Sequence, residues 1–331
     1  MQHITPPTSG ESVLPAVGRV TRLDRGWSTV LFEDSTVMRV RNFGVDIAVG
    51  DRVHVTADGE KIREVLLRTS ALVRRASFEG ALAERHVVAA NIDTVFLVHA
   101  ASSAPNERRL ERELILAFDS GATPVIVLTK NDIADAEHVN TLVATLTQVA
   151  AGVEIHVVSG ITGNNVDVLR EYATDGRTIA MLGASGVGKS TLINSLVGHA
   201  VQRTAEVREG DQRGRHTTVA AELVALPTGG WLLDTPGLRA VTLWTSGQGI
   251  ERAFPDIFSL VDNCRFRDCK HLDEPGCAVQ QAITDGTLPE IRLQSMRRLV
   301  AEEESVEREQ EEKEKSYDKR GMRRPATDSN S

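Results

Sequence analysis

Between Leu14 and about Leu67, apolar and polar residues alternate in short runs: Gly18 to Leu23, Trp27 to Phe32, Thr36 to Arg41, Arg52 to Thr56 and Ile62 to Leu67. A period of two over such lengths predicts half-buried strands, and Glu33-Asp34 and Asp58-Gly59 supply turn chemistry between them. Past a basic linker, Arg68 to Arg75, the pattern changes to apolar runs alternating with helical periods. Thr94 to His99, Pro124 to Leu128, Glu154 to Val158, Thr178 to Leu182, Ala221 to Ala225 and Trp231 to Leu233 read as strands. Arg109 to Asp119, Val139 to Ala150, Val166 to Tyr172 and Ser190 to Val197 read as helices. Such alternation predicts an α/β unit, a mainly parallel sheet covered on both faces.

Five short strands before the linker predict a small closed barrel, for which the oligonucleotide-binding (OB) fold is the five-stranded candidate. From Gly249 to about Ala301 the chain reads as helices around a cysteine cluster. The resulting division is a flexible N-terminus (1–13), a barrel (14–72), the α/β domain (73–245), a helical metal-binding domain (246–301), and a charged extension with a disordered tail (302–331).

Among 331 residues, 41% are hydrophobic and 25% charged, an ordinary globular balance for two or three domains. No run approaches the roughly 20 apolar residues that span a bilayer, and Met1 to Glu11 holds no apolar signal core, so a cytoplasmic protein without a membrane partner is expected. The net charge of −8 argues against a nucleic-acid partner only as an average. Acidic residues crowd Glu302 to Glu314, whereas Arg19, Arg22, Arg25, Arg39, Arg41, Arg63, Arg68, Arg74 and Arg75 punctuate the N-terminal part. Local patches set contact with phosphates, although a solvated strand surface accounts for the arginines equally well. Trp27, Phe32 and Phe43 form a thin stacking platform, favouring shape and phosphate contacts to RNA.

Gly183-Ala184-Ser185-Gly186-Val187-Gly188-Lys189-Ser190, followed by Thr191, lies between a predicted strand and a predicted helix. Glycines let backbone N–H groups curl around phosphate oxygens, Lys189 sets a cation against the outer phosphates, and the Ser190 hydroxyl ligates Mg²⁺. Thr129-Lys130-Asn131-Asp132 follows a buried strand and fits a guanine-reading pattern, with Thr where Asn is commoner. Asp132 can accept the two donors of the guanine edge, the stem of Lys130 can cover the base, and Ser159-Gly160 supplies a backbone wall. Asp234, ahead of Thr235-Pro236-Gly237, can reach Mg²⁺ through water while the Gly237 amide addresses the γ-phosphate. The base reader precedes the phosphate loop, the reverse of the ordinary GTPase order. The expected fold is therefore a circularly permuted P-loop GTPase domain between the OB-fold barrel and the helical zinc-binding domain, a rearrangement that neighbouring termini make tolerable.

Leu238 stands where many GTPases carry a water-orienting glutamine, which predicts slow intrinsic hydrolysis. It also leaves open a nonenzymatic RNA-binding protein that uses GTP and GDP as conformational ligands. Arg213-Gly214-Arg215-His216-Thr217-Thr218 occupies the position of a switch loop. Either Thr217 or Thr218 can complete the Mg²⁺ shell, and His216 is the candidate to polarise the attacking water. Cys264, Cys269, His271 and Cys277 fall within fourteen positions and hold every cysteine of the chain. Three thiols and an imidazole suffice for a closed, structural Zn²⁺ site, and Arg265, Arg267 and Lys270 interleave positive charge.

Taken together, from about Leu14 to Ala301, these motifs resemble the ribosome small-subunit-dependent GTPase A family (RsgA, also called YjeQ). The resemblance implies a bacterial GTPase that binds the small ribosomal subunit and its rRNA late in subunit maturation; a monomer without a DNA partner is expected. It also implies hydrolysis of GTP to GDP stimulated by the subunit, release in the GDP state, and His216 as the hydrolytic residue. Val219 departs from the third threonine common in the family, and the Glu302 to Glu314 stretch lies outside the resemblance.

Overall fold

The computed structural model describes residues 17–76, 84–198, 221–234 and 248–319. Five strands open the described chain: β1 (Val17–Asp24), β2 (Trp27–Phe32), β3 (Val37–Arg41), β4 (Arg52–Val55) and β5 (Ile62–Val65). Strand β1 pairs antiparallel with both β2 and β4, β2 with β3, and β4 with β5. A bridge between Arg41 and Lys61, reinforced by Arg41 N–H donating to Glu60 O at 3.0 Å, brings the end of β3 to the start of β5. The five strands thereby return on themselves around Val20, Val30, Val40, Ile47, Val53, Val55 and Ile62, the inward set that period-two alternation dictates.

The stretch expected to be a linker is instead ordered as a ribbon. Strand β6 (Ala71–Ala76) pairs antiparallel with β7 (Glu84–Ala90) in a separate two-stranded sheet. Arginines at 74 and 75 mask the alternation that would have revealed it.

Strands β8 (Thr94–Ala100), β9 (Thr123–Thr129), β10 (Glu154–Val157), β11 (Thr178–Gly183), β12 (Glu222–Ala225) and β13 (Trp231–Asp234) build the principal sheet in the order β10-β9-β8-β11-β13-β12. All pairings are parallel except β12 with β13. Helices α1 (Glu107–Ser120) and α2 (Ala136–Val149) cover one face, with Leu110, Leu114, Leu142 and Leu146 packed on Val95, Leu97, Ile126 and Leu128. Helices α3 (Val166–Arg170) and α4 (Lys189–Val197) cover the other, with Leu169, Leu192 and Leu196 on Phe96, Val98, Val125 and Ile179. Burying each such side chain contributes roughly 1.5–3 kcal/mol. Local chemistry sets the helix starts: Asn106 Oδ1 accepts from Arg109 N–H at 3.1 Å, and Asp135 caps α2 by accepting from Glu137 and His138.

Helices α5 (Gln248–Ala253), α6 (Pro255–Val261), α7 (Ala278–Thr284) and α8 (Glu290–Lys319) continue the core on the α1 side. Arg292, buried in α8, donates to both carboxylate oxygens of Asp256 (2.8 and 2.9 Å), to Val149 O (2.9 Å) and to Ala253 O (3.1 Å), and stacks on Phe254 at 4.4 Å. One guanidinium thus joins the C-terminal helices to the end of α2. The acidic run from Glu302 to Glu314 continues α8 without interruption. Its first turn is tied to α1 by Arg112 to Glu302 at 2.5 Å, with Arg298 to Glu111 at 2.9 Å just before it.

Candidate active site

In an open α/β sheet, ligands bind beyond the carboxyl ends of the strands. Here four strand ends on either side of β8 reach that edge: β9 delivers Thr129, β10 leads to Ser159, β11 ends at Gly183, and β13 ends at Asp234.

The phosphate loop joins β11 to α4. A Cβ at Gly183 would lie 2.4 Å from Val98 O, so only glycine lets the loop leave the sheet there. Gly188, at φ +101, caps α4 in the left-handed region and brings the helix N-terminus to the loop. Lys189 Nζ donates to Gly183 O (2.9 Å) and Ala184 O (2.6 Å), which holds the ammonium across the loop between Ala184 and Gly188. Ser190 and Thr191 follow in the first turn of α4, where N–H groups and the helix dipole favour anions.

The segment from Thr129 to Asp132, expected to read the base, meets this loop directly. The buried Thr129 hydroxyl contacts Val187 O of the phosphate loop and His99 O, 3.2 Å away, at the end of β8. Lys130 adopts φ +59, turning the chain into a short 3₁₀ turn at Asn131–Ile133. Asn131 N–H donates to Val158 O at 3.3 Å. Ser159 Oγ donates to Asp132 Oδ1 at 2.6 Å, orienting the carboxylate, and also accepts from Thr162 N–H at 3.2 Å. Gly160 passes close to α4, where an added Cβ would lie 3.2 Å from Leu192 Cα. The expected residues from Thr129 to Asp132, Ser159, Gly160 and Gly183 to Thr191 therefore form one constellation, with Asp234 on the same edge. His216, Thr217, Thr218, Gly237 and Leu238 lie outside the described residues, as do 1–13 and most of the tail.

A trio beside the site, with His99 and Glu113 buried and Arg109 half-buried, escaped the sequence reading. His99 Nε2 lies 3.0 Å from Glu113 Oε2, and Arg109 Nε donates to Glu113 Oε1 at 2.8 Å. Its only signal was an acidic residue on the apolar stripe of α1, four positions after an arginine.

A second constellation lies between α6 and α7. The ligand atoms of Cys264, Cys269, His271 and Cys277 all lie within 4.8 Å of one another. His271 Nδ1 is 3.6 Å from Cys264 Sγ and 3.4 Å from Cys277 Sγ, and those two sulfurs are 4.0 Å apart. Zn–S bonds near 2.3 Å and Zn–N bonds near 2.0 Å require tetrahedral edges of roughly 3.5–3.8 Å, so the donor set fits a single zinc ion. Burial is the main cause that holds His271 below its ordinary pKa, leaving a neutral ligand nitrogen, while burial pushes the Cys269 thiol up to about 11. Glu274 organises the loop by accepting from Lys270 and Leu272 N–H, both at 2.8 Å. Arg297 of α8 and Gln280 of α7 both donate to His271 O.

Among the described residues, no helix is long and apolar enough to cross a membrane. A sequence profile described as RsgA GTPase matches residues 65–244. A small ribosomal subunit biogenesis GTPase RsgA of Methanosarcina acetivorans is 41% identical over 267 residues, covering 80% of this chain and 71% of its own. One from Streptomyces coelicolor is 40% identical over 329 residues, covering 95% and 88%. Among solved structures, YjeQ from Thermotoga maritima superposes with a TM-score of 0.65 at 26% identity, covering 87% of this chain and 98% of that one. YloQ, described as a circularly permuted GTPase, shares the fold with a TM-score of 0.66 at 23% identity, covering 91% and 99%. Fold and profile together define a GTPase built on a mainly parallel α/β sheet. The chain belongs to the RsgA GTPase family, and GTP hydrolysis is its activity.

Proposed function

We propose that this GTPase binds the small ribosomal subunit late in its maturation, hydrolyses GTP under stimulation by the subunit, and leaves in the GDP state. The single observation that carries the nucleotide assignment is the junction of Thr129 with Val187, because it joins a base reader and a phosphate cradle from distant segments into one pocket. Asp132 reads guanine, the backbone from Gly183 to Gly188 and Lys189 hold the phosphates, and Ser190, Asp234 and either Thr217 or Thr218 hold Mg²⁺. When bound, Mg²⁺ supplies neutralisation of charge on the β- and γ-phosphates. Gly237 addresses the γ-phosphate, and His216 takes the place of the glutamine that Leu238 excludes, accepting a proton from the attacking water.

In this reading residues 14–72 form an OB fold, 73–245 the GTPase domain and 246–301 a zinc module. The first rests on the strand order β1-β2-β3-β5-β4, closed back onto β1, and the last on distances suited to one structural Zn²⁺. Trp27, with Arg39 and Arg41 each 5.3 Å from its ring, gives the barrel a stacking and phosphate-binding surface for rRNA. A monomer in the cytoplasm completes the reading. GTP turnover titrated with purified small subunits tests it: phosphate release should rise with subunit concentration to a plateau, and a flat response would refute the stimulated reaction.

A further inference from the structure

Strand β1 joins the barrel strands and the principal sheet into one continuous hydrogen-bonded sheet. It pairs with β2 and β4 in the barrel, and Arg22 pairs with Glu222 of β12 in the principal sheet. The β1–β2 register shifts between Val20 and Arg22, a bulge at which a strand bends and can change partners. Glu222 in turn pairs with Asp234, so Arg22, Glu222 and Asp234 form a lateral row across β1, β12 and β13. With strands about 4.8 Å apart, Arg22 lies roughly 10 Å from Asp234 along that row.

Arg19, on the same strand, reaches the opposite ends of the nucleotide-bearing strands. Its guanidinium donates to Gly176 O (3.1 Å), to Asn91 O (3.3 Å) and to the hydroxyl of Thr178, the first residue of β11. It also stacks 5.6 Å from the ring centre of Trp231, the first residue of β13. The barrel is thereby fastened to the strand that ends in the phosphate loop and to the strand that ends in Asp234. Burial, aided by Arg52 and opposed by Asp93, lowers the Arg19 pKa to about 10, so the group remains charged at neutral pH.

Its direct hydrogen-bond acceptors are carbonyls and a hydroxyl, and Nε has no partner among the described residues. A half-buried cation without a bonded carboxylate gains little stability, and its contacts serve register and orientation instead. Two further contacts restrict the same joint. Ala90 N–H donates to Val49 O at 2.8 Å, and a Cβ at Gly50 would lie 2.1 Å from Ala90 O.

We propose that Arg19 is a positioning residue that locks barrel strand β1 to β11 and β13, so that the state of the nucleotide site and the state of the barrel are coupled through β1. By linkage the coupling is reciprocal: whatever the barrel binds biases the nucleotide site, and the nucleotide biases the barrel. This rests on the assignment of GTP and Mg²⁺ to the carboxyl edge, and it specifies how a partner on the barrel controls turnover there.

The test is amide hydrogen exchange on the full chain with Mg·GDP and with Mg and a non-hydrolysable GTP analogue, nucleotide affinity being measured on the same samples by calorimetry. In the native chain, amides of residues 17–32 should exchange at least threefold more slowly with the analogue than with GDP. Arg19→Ala should abolish that difference while binding both nucleotides within about twofold of the native affinity. Thr178→Val, which removes one acceptor and keeps the strand's shape, should reduce it, which guards against a poorly folded Arg19 variant. Equal exchange in the two nucleotide states, or a difference that survives both substitutions, overturns the proposal. Absence of nucleotide binding by the native chain would instead overturn the site assignment, and calorimetry reports that separately.

Discussion

The Thr129 hydroxyl contacts Val187 O across 58 positions of sequence. That contact fastens the turn at Asn131–Ile133 to the loop between β11 and α4, and the same hydroxyl lies 3.2 Å from His99 O. Thr129→Val keeps the shape and removes the hydroxyl, leaving the two carbonyls without their side-chain donor. A loss of about 1–1.5 kcal/mol is expected, or roughly tenfold weaker GTP binding by calorimetry. Unchanged affinity would show that the two loops are held together by the backbone alone.

Asp132 is oriented by Ser159, whose Oγ lies 2.6 Å from Oδ1. Asp132→Asn replaces an acceptor with a donor facing the guanine N1–H and N2–H₂ groups, so GTP binding should fall by at least about a hundredfold, as happens when buried polar partners mismatch. Xanthosine triphosphate, which offers a carbonyl where guanine has its amino group, should bind the variant better than GTP does. Competition between the two nucleotides measures the switch, and an unaltered preference for GTP would remove Asp132 from the base site.

The pattern of positions made the strands and helix starts around this candidate site legible and concealed its longer-range contacts for physical reasons. Trp27–Phe32 is a strand with the bounds that alternation gives it, and Lys189–Val197 begins one residue before the apolar periodicity because Gly188 caps it. Such features are local. The pairing of Arg22 with Glu222 joins residues on opposite sides of the phosphate loop in sequence, and no local period reports it. Glu113 is invisible for another reason: a carboxylate on an apolar stripe reads as an irregularity until His99 and Arg109 are seen to bracket it.

The metal knuckle should hold one zinc ion per chain, detectable by elemental analysis. Cys277 serves twice, as a member of the donor set and as the N-cap of α7, where Sγ accepts from Gln280 N–H at 3.4 Å. Cys277→Ser keeps a side-chain acceptor at the cap, so the zinc it releases and the fall in melting temperature it causes should both report loss of the metal ligand. Full zinc occupancy in this variant would refute the four-residue donor set.

Arg292 joins three elements through its bonds to Asp256, Val149 O and Ala253 O. Arg292→Ala removes all of these and leaves two carbonyls and a partly buried carboxylate without the guanidinium. A destabilisation of about 3 kcal/mol is expected, within the range for breaking buried pairs. Limited proteolysis should cut between α2 and α8 sooner than in the native chain, while GTP affinity holds, because Arg292 touches no residue of the nucleotide site. A coincident loss of GTP binding would mean that the C-terminal helices support the pocket directly.

His216 lies outside the described residues, and its proposed role rests on its place in the sequence and on the chemistry the reaction needs. An attacking water needs an acceptor for its proton, and Leu238 offers none at the place where many GTPases supply a glutamine amide. An imidazole near neutrality can accept that proton, and general-base catalysis contributes about 10²–10⁴-fold. His216→Ala should therefore retain GTP affinity within about threefold while subunit-stimulated phosphate release falls at least a hundredfold. The stimulated rate of the native chain should also fall at pH values that protonate the imidazole, and this acid limb should be absent from the residual activity of the variant. Stimulated release at the native rate in His216→Ala would transfer the role to another group.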